Sequence, residues 1–336
     1  MTTIHDAKTL LTGTVSVIQL GIEKVIEGAR ACGAPVVDVE FVPSAGGEPA
    51  RLARLARLLS PPLADAIDAA NREALHRVLA SRPCLVGIGR ARDVIPGMAD
   101  DLFLHAGPPI TWDRMSGPMR GAVVGGMLLE GFARTPDEAF QRAAEGRVRF
   151  EPCHAHDAVG PMAGLVTPSM PVWILEETGE GLPPTRTFCT LNEGLGKVLR
   201  YGAYSAEVLD RLRYMAGELA PSLHAALKVR GPIDLRTLMA QALQMGDEGH
   251  NRNRAATSLL FRELAPALVR AVRDPSIVAA TLDFIDRNDH FFLNLSMPMA
   301  KCMLKAAEGV ENATVLTVMA RNGTDFGIQV ASMPGR

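Results

Sequence analysis

The sequence predicts an α/β protein in three parts: a Rossmann-like N-terminal unit over residues 1–100, a loop-rich mixed α/β region over 101–203, and a mainly α-helical C-terminal part over 204–336. Three observations predict it. Strand and helix patterns alternate through Ile88, the stretch from Asp93 to Gly202 is rich in glycine and proline, and from Ser205 to Gly309 apolar residues recur at helical spacing.

In the first part, Thr14–Leu20 is rich in β-branched residues and predicts a strand. Ile22–Ala31 then predicts a helix that stops at Gly33. Pro35–Val42 predicts a second strand, Glu73–Ala80 a helix and Cys84–Ile88 a third strand. Strands joined through helices imply right-handed parallel βαβ units. A dinucleotide site is not expected. Only Gly21 follows the first strand, and after the third Gly87-Ile-Gly89 is followed by Arg92 where the last glycine of the fingerprint belongs. Arg51, Arg54 and Arg57 share one helical stripe, which reads as a solvated face rather than a membrane-binding one.

The central region carries short strands near Val148–Pro152, Pro171–Glu176 and Thr187–Thr190. In the C-terminal part Leu235, Leu238, Met239 and Ala242 define one helix face, and Ala256, Leu259, Leu260 and Leu264 the next. Asp274-Pro275 is an N-cap followed by a proline at the first helical position, and Ser296 with Pro298 predicts another helix start. Thr314–Ala320 and Phe326–Ser332 around Asn322-Gly323 predict a hairpin.

Composition narrows the function classes. The 336 residues are 47% apolar and 21% charged with a formal net charge of -2, which describes a globular chain without the basic surface that nucleic acid requires. The longest apolar helical stretch, Ala122–Phe132, is too short for a bilayer, and the N-terminus lacks a secretory h-region, so a cytoplasmic protein is expected. Five scattered cysteines, none in a CxxC pair, read as free thiols.

Four segments could carry chemistry. Asp247-Glu-Gly-His-Asn-Arg-Asn-Arg254 falls between two helices, so Asn251–Arg254 would stand at a helix N-terminus, where free N–H groups attract anions. Arg252 and Arg254 would add forked donors for carboxylate or phosphate. Arg287-Asn-Asp-His-Phe-Phe-Leu-Asn294 sets Asn288, His290 and Asn294 beside two phenylalanines. Each could equally be a capped junction or a turn-rich loop. Cys153-His-Ala-His-Asp157 spaces His154 and His156 for one strand face, but a second ligand pair is missing; the loop after it, with Gly160, could offer amides to an oxyanion. Asn192-Glu-Gly-Leu-Gly-Lys197 lacks the first glycine and the Ser/Thr of a P-loop, and reads as a helix start with Lys197 and Arg200 as auxiliary cations.

Long segments in order along nearly the whole chain carry a resemblance. HAGPPITWDRMSGPMRGA, PCHAHDAVGPMAGLVTPSMPV, FCTLNEGLGKVLRYGA, MGDEGHNRNRAATSL, NDHFFLNLSM and MARNGTDFGI resemble the YlbE/AllG-like family, whose genes lie beside that of an acyl-CoA-synthetase-like FdrA protein in bacterial purine (allantoin) catabolism. The resemblance implies an oxamate carbamoyltransferase subunit. That enzyme interconverts oxalurate plus phosphate with oxamate plus carbamoyl phosphate, in a hetero-oligomer with FdrA-like and other subunits. It implies no catalytic residues and no cofactor. In two respects the sequence departs from the family: a cysteine stands there at the position of Gly249, and the family continues past the Asn322-Gly323 hairpin, whereas this chain ends at Arg336, as a truncated form or a short member would.

For such a reaction the expected anion-binding residues are Arg252 and Arg254, with Asn251 and Asn288 orienting the amide and His290 or His154 transferring the proton. Asp247 and Glu248 join the catalytic set, and Asn294, Gly160 and Arg321 the substrate-binding set. The three segments around Cys153–Gly164, Asp247–Arg254 and Asn288–Asn294 are expected to line one cleft. A metal-assisted hydrolase or lyase using His154, His156 and His250 with Asp247 and Glu248 is the rival enzyme reading. A non-catalytic scaffold subunit is the third.

Overall fold

The computed structural model describes residues 17–19, 23–39, 43–160, 164–249, 251–314, 316–322 and 325–330. It divides into two compact units, Met1–Ala66 and Ile67–Arg336. In the first, β1 (Val17–Gln19) and β2 (Val36–Asp38) pair in parallel, Val17 opposite Val36, with α1 (Glu23–Ala31) between them. Gly33, in the left-handed region at φ 75°, turns the chain out of α1, as glycine does most cheaply. One parallel strand–helix–strand pair is thus present where the sequence predicts a Rossmann-like unit of three strands. α2 (Pro49–Leu58) has no buried residue, and its Arg51 is paired with Glu48 at 2.6 Å, so its arginine stripe is a solvated face.

α3 (Leu63–Ala80) precedes β3 (Pro83–Arg90), the third expected strand. It is not a parallel neighbour of the first two. β3 lies in a five-stranded sheet of order β10 (Ile233–Asp234), β3, β8 (Pro171–Glu177), β9 (Arg186–Thr190) and β6 (Ala158–Val159), antiparallel to both neighbours. Two helices rather than one separate β2 from β3, so the crossover rule for a single βαβ unit does not govern it. The fold is therefore mixed α/β, and the parallel unit ends with β2.

The short α4 (Ala91–Val94) leads to β4 (Leu102–His105), which is flanked by β5 (Arg149–Pro152) and β7 (Leu165–Val166) in a three-stranded sheet. α5 (Gly117–Leu129) and α6 (Pro136–Ala144) intervene, each opened by a hydroxyl N-cap: Ser116 Oγ accepts from Met119 N–H and Thr135 Oγ1 from Glu138 N–H. β6 (Ala158–Val159), β8 (Pro171–Glu177) and β9 (Arg186–Thr190) complete the larger sheet with β10 (Ile233–Asp234). β8 and β9 run antiparallel, Trp173 opposite Cys189.

The C-terminal helices are α7 (Ala206–Tyr214), α8 (Ala220–Arg230), α9 (Leu235–Gln244), α10 (Arg254–Ala271), α11 (Pro275–Asp286) and α12 (Leu293–Lys305), with a π turn at Met215–Leu219 between the first two. Asp274 caps α11 as expected, its Oδ1 accepting Ser276 N–H at 2.8 Å. α12 begins three residues before Ser296, and Pro298 lies buried inside it, where its carbonyl accepts the Thr187 hydroxyl of β9 at 2.8 Å. β11 (Leu316–Asn322) and β12 (Asp325–Val330) form the expected hairpin. Among the described residues no helix is long and apolar enough to cross a membrane.

The main core joins the sheet to these helices. Trp173 of β8 is fully buried and meets Phe291 edge-on at 5.7 Å; Phe291 in turn meets Phe284 at 6.1 Å. α5 is buried almost throughout because its glycines admit close neighbours. A Cβ on Gly121 would stand 2.3 Å from the Gly202 carbonyl oxygen, a backbone atom that cannot swing aside. Gly121→Ala is expected to cost about 1–3 kcal/mol through this clash. Gly117→Ala, in the same helix with nothing near its added Cβ, leaves the denaturant midpoint unchanged or slightly raised. Equal midpoints for the two variants would contradict the packing described.

Candidate functional site

β9 delivers the chain into a loop, Leu191–Gly202, that the larger sheet alone cannot hold. Three asparagines hold it instead. Asn192, fully buried, donates from Nδ2 to Asn294 Oδ1 at 2.8 Å. Asn294 Nδ2 donates to the Thr190 carbonyl at 2.8 Å, and Asn288 Nδ2 donates to the Asn192 carbonyl at 3.1 Å. Asn192 Oδ1 accepts Gly194 N–H at 2.9 Å, turning the chain where Gly194 takes φ 98°. The next residue inward is Glu193. Its Oε2 accepts Leu199 N–H at 2.8 Å and its Oε1 accepts Arg200 N–H at 3.4 Å, closing the loop on itself.

This closure fixes Arg200, which is 5% exposed. One of its terminal nitrogens donates to the Gly194 carbonyl, and the guanidinium lies 5.2 Å from the Tyr201 ring. Among the described residues, Nε and Nη1 have no hydrogen-bond partner. Buried guanidinium donors left unmatched are costly, and an arriving anion would satisfy them. Arg200 lines a cavity of about 420 Å³ together with Arg90, Gly164, Thr190, Glu193 and Asn294. Burial pushes the Glu193 carboxyl above the ordinary carboxylate range, against the pull of two backbone N–H groups and of Arg200 and Arg211. The cavity thus brings a paired-off loop, an under-used guanidinium and a carboxyl that binds its proton tightly into one space.

Of the segments expected to converge, Cys153–Gly164 contributes only its last residue, Gly164, to the cavity lining; Asn294 lines it too, and Asn288 braces its loop. No described residue from 247 to 254 lines it. That segment caps α10: Asp247 Oδ2 accepts Ala256 N–H at 2.8 Å, and Glu248 accepts the N–H groups of Asn251 and Arg252. Asn251 and Arg252 are exposed. Arg254 stands at the first residue of α10 with 82% of its side chain exposed, 3.6 Å from Asp289. His250 lies outside the described residues, as does the side chain of Arg321. His290, partly buried, donates its backbone N–H to Asn288 Oδ1 at 3.2 Å. Gly249 has φ 83°, a conformation that glycine adopts at little cost.

The Cys153–Gly164 segment gathers a second polar group beneath the smaller sheet. Gly160 packs so closely that an added Cβ would meet Cys153 Sγ at 3.1 Å and the Gly164 carbonyl at 2.9 Å. His156 is engaged at both ring nitrogens, by the Pro96 carbonyl and by Glu151 Oε2, each at 2.7 Å, leaving neither for a metal. His154 is held below the usual imidazole range by burial first and by Lys301 second. Lys301 of α12 is 7% exposed, and burial depresses its ammonium despite the attraction of Asp157, whose carboxylate pairs with Lys305. Burial pushes the Cys153 and Cys302 thiols up to about 12, which disfavours their nucleophilic thiolate forms. Among the described residues no three His, Cys, Asp or Glu side chains converge to hold a metal.

Arg200 was visible in sequence only as an auxiliary cation beside Lys197, which is exposed. Glu193 and Asn192 were hidden in a segment that reads as a failed P-loop. Their signal was the run Asn-Glu-Gly ahead of a second glycine, a turn that needs side-chain oxygens to close it.

Two outcomes follow. Asn294→Ala strips Asn192 Nδ2 and the Thr190 carbonyl of partners, and is expected to destabilise the fold by about 1–3 kcal/mol for each group left buried. Hydrogen exchange at Leu191–Gly202 should rise ahead of the rest of the larger unit; uniform exchange would refute the bracing role. For Lys301 the sign runs the other way from an ion pair. Its folded pKa is depressed, so the stability it permits is present above the ordinary lysine range and lost as pH falls through the folded value. Lys301→Met should therefore be more stable than the wild type at neutral pH, with the gap in melting temperature closing as pH rises towards the ordinary lysine range. A gap independent of pH would contradict a buried ammonium.

Comparison with known proteins gives a consistent match. Residues 148–336 match the family described as oxamate carbamoyltransferase subunit AllG. Two Escherichia coli K12 proteins are similar over most of the chain. The uncharacterized protein YahG is 40% identical over 330 residues, covering 98% of this chain and 69% of that protein. The oxamate carbamoyltransferase subunit AllG is 41% identical over 269 residues, covering 80% of this chain and 64% of that protein. A crystal structure of a conserved protein of unknown function from Enterococcus faecalis V583 is 44% identical with a TM-score of 0.78, over 81% of this chain and 64% of that one. The chain thus spans about two thirds of the length of these relatives. It belongs to the family described as oxamate carbamoyltransferase subunit AllG.

Proposed function

We propose that this AllG-type subunit supplies a small-anion site to an oxamate carbamoyltransferase, a cytoplasmic complex with FdrA-like and other subunits in allantoin catabolism. The reaction is the interconversion of oxalurate plus phosphate with oxamate plus carbamoyl phosphate. The observation that carries the reading is Arg200: a buried guanidinium with two unpartnered nitrogens, lining a cavity of about 420 Å³. Every molecule in that reaction is a small anion, and a planar fork suits a carboxylate or a phosphate.

The anion-binding role falls to Arg200 rather than to Arg252 and Arg254, which are exposed. An exposed guanidinium is screened by water and contributes little, whereas a buried one acts at lower dielectric. Asn294 keeps a substrate-binding role at the cavity wall, and Asn288 a bracing one. Oriented donors of this kind also stabilise the tetrahedral oxyanion formed as the carbamoyl carbon is attacked.

The test is oxalurate phosphorolysis by the chain assembled with an FdrA-like partner. Arg200→Lys retains the charge and loses the fork. It is expected to lower kcat/KM by about 2–3 kcal/mol of transition-state binding while the complex still assembles. Arg254→Lys, at the exposed end of α10, should leave kcat/KM within about twofold of the wild type, since exposed pairs carry little energy. Full activity in Arg200→Lys would remove the cavity from the reaction.

A further inference from the structure

Glu193 lines a second cavity as well as the one it shares with Arg200. This second space, about 500 Å³, is bounded by Gly194, Arg211, Tyr214, Arg287 and Asn288 among others. Glu193 therefore borders two compartments, one lined by Arg200 and the other by α7 and α11. Each carboxyl oxygen accepts one backbone N–H, from Leu199 or Arg200, which fixes the group and leaves a lone pair on each oxygen.

We infer that Glu193 is the catalytic acid and base of this cavity, passing a proton between the substrate nitrogen and phosphate. The inference rests on the reading of the cavity as the substrate site. In phosphorolysis an oxygen of hydrogenphosphate attacks the carbamoyl carbon of oxalurate, forming the C–O bond of carbamoyl phosphate. The C–N bond breaks and its electron pair goes to nitrogen, which takes the proton of the Glu193 carboxyl and leaves as the amide of oxamate. The carboxylate recovers a proton from the phosphate group, so one proton is moved and none is gained or lost. Synthesis runs the same steps backwards, with the carboxylate removing the amide proton as nitrogen attacks.

The surroundings strengthen the hold of this carboxyl on its proton, as an acid that must donate to a leaving nitrogen requires. Burial raises the carboxyl, outweighing Arg200 on its own loop and Arg211 from α7. Across the first cavity stand Arg90 at the end of β3 and Arg213 of α7, occupied by Asp93 and Asp210. Across the second stand Arg287 and Asp283 of α11, paired with each other at 3.4 Å, and the phenol of Tyr214. These exposed cations already have carboxylate partners, so they lower the Glu193 carboxyl less than their number suggests.

The experiment compares Glu193→Gln, Glu193→Asp and Arg200→Lys in the assembled complex. Oxamate affinity is measured by calorimetry, and rates are followed in both directions from pH 5 to 8. Glutamine keeps one of the two acceptor oxygens, enough for the shorter anchor from Leu199 N–H, and carries no proton acidic enough to transfer. Its kcat is expected to fall at least about 100-fold, the usual scale for a lost general acid, with oxamate affinity within about threefold of the wild type. In the wild type, phosphorolysis should slow and synthesis quicken as pH rises through the Glu193 pKa. Both limbs should vanish in Glu193→Gln, and Glu193→Asp should restore part of the rate with its limb. A Glu193→Gln enzyme that keeps its rate and its pH limbs would overturn the inference and leave the cavity reading standing. So would one that loses melting temperature and oxamate binding while its residual turnover keeps the wild-type limbs, because that is the behaviour of a loop anchor alone. Unchanged affinity and rate in Arg200→Lys would instead bring down the cavity reading itself.

Discussion

The candidate site depends on the hydrogen bonds among Asn192, Asn288 and Asn294. A loop of this length between a strand and a helix has no ladder to satisfy its backbone, and in a buried setting each unpaired group is costly. The side-chain amides replace that ladder. Because Asn192 faces Asn294 of α12 and Asn288 just before it, the loop is tied to the helical layer rather than to its own neighbours in sequence. Glu193 then closes the remaining turn from within. The position of Arg200 is therefore the sum of two polar closures, one by the asparagines and one by Glu193.

That arrangement also explains how far the sequence could be read. The helices from Ser205 onward, the cap at Asp274 and the C-terminal hairpin were legible because each depends on local spacing and on residues a few positions apart. The partner of β3 was not, since a strand of both-face buried character fits a parallel or an antiparallel neighbour alike. Pro298 misled for a related reason: as a local signal it opens a helix, yet here it is accommodated inside one, with its carbonyl taken by Thr187 of a strand more than a hundred positions earlier. Of the asparagines that the sequence singles out, Asn294 lines the cavity and Asn288 braces the loop beside it. Asp247–Arg254 drew attention by density of polar residues, and that density serves a helix start. Arg200 was undervalued because burial, which gives its guanidinium weight, is not written in the residues next to it.

The two polar groups in the larger unit differ in kind. At Cys153, His154 and Lys301 burial favours the uncharged form: the thiol is pushed upward, the imidazole and the ammonium downward. Such a region resists proton traffic. At Glu193 burial again favours the neutral form, but guanidiniums and backbone N–H groups pull the other way. A group balanced between opposing influences responds to small changes around it, such as the arrival or departure of an anion beside Arg200.

The contact between Gly121 and Gly202 has an evolutionary corollary. Where two bare main chains touch, no rotamer exists through which a substitution could nudge the neighbouring guanidinium sideways by a fraction of an ångström. Relatives that needed a longer or shorter substrate could not retune the seat of Arg200 by trading side chains at this seam. They would have to insert or delete residues in the loop, or change the opposite wall. Divergence of specificity on this scaffold should thus be recorded as changes in loop length and in the far lining of the cavity, with the seam itself carried along unaltered.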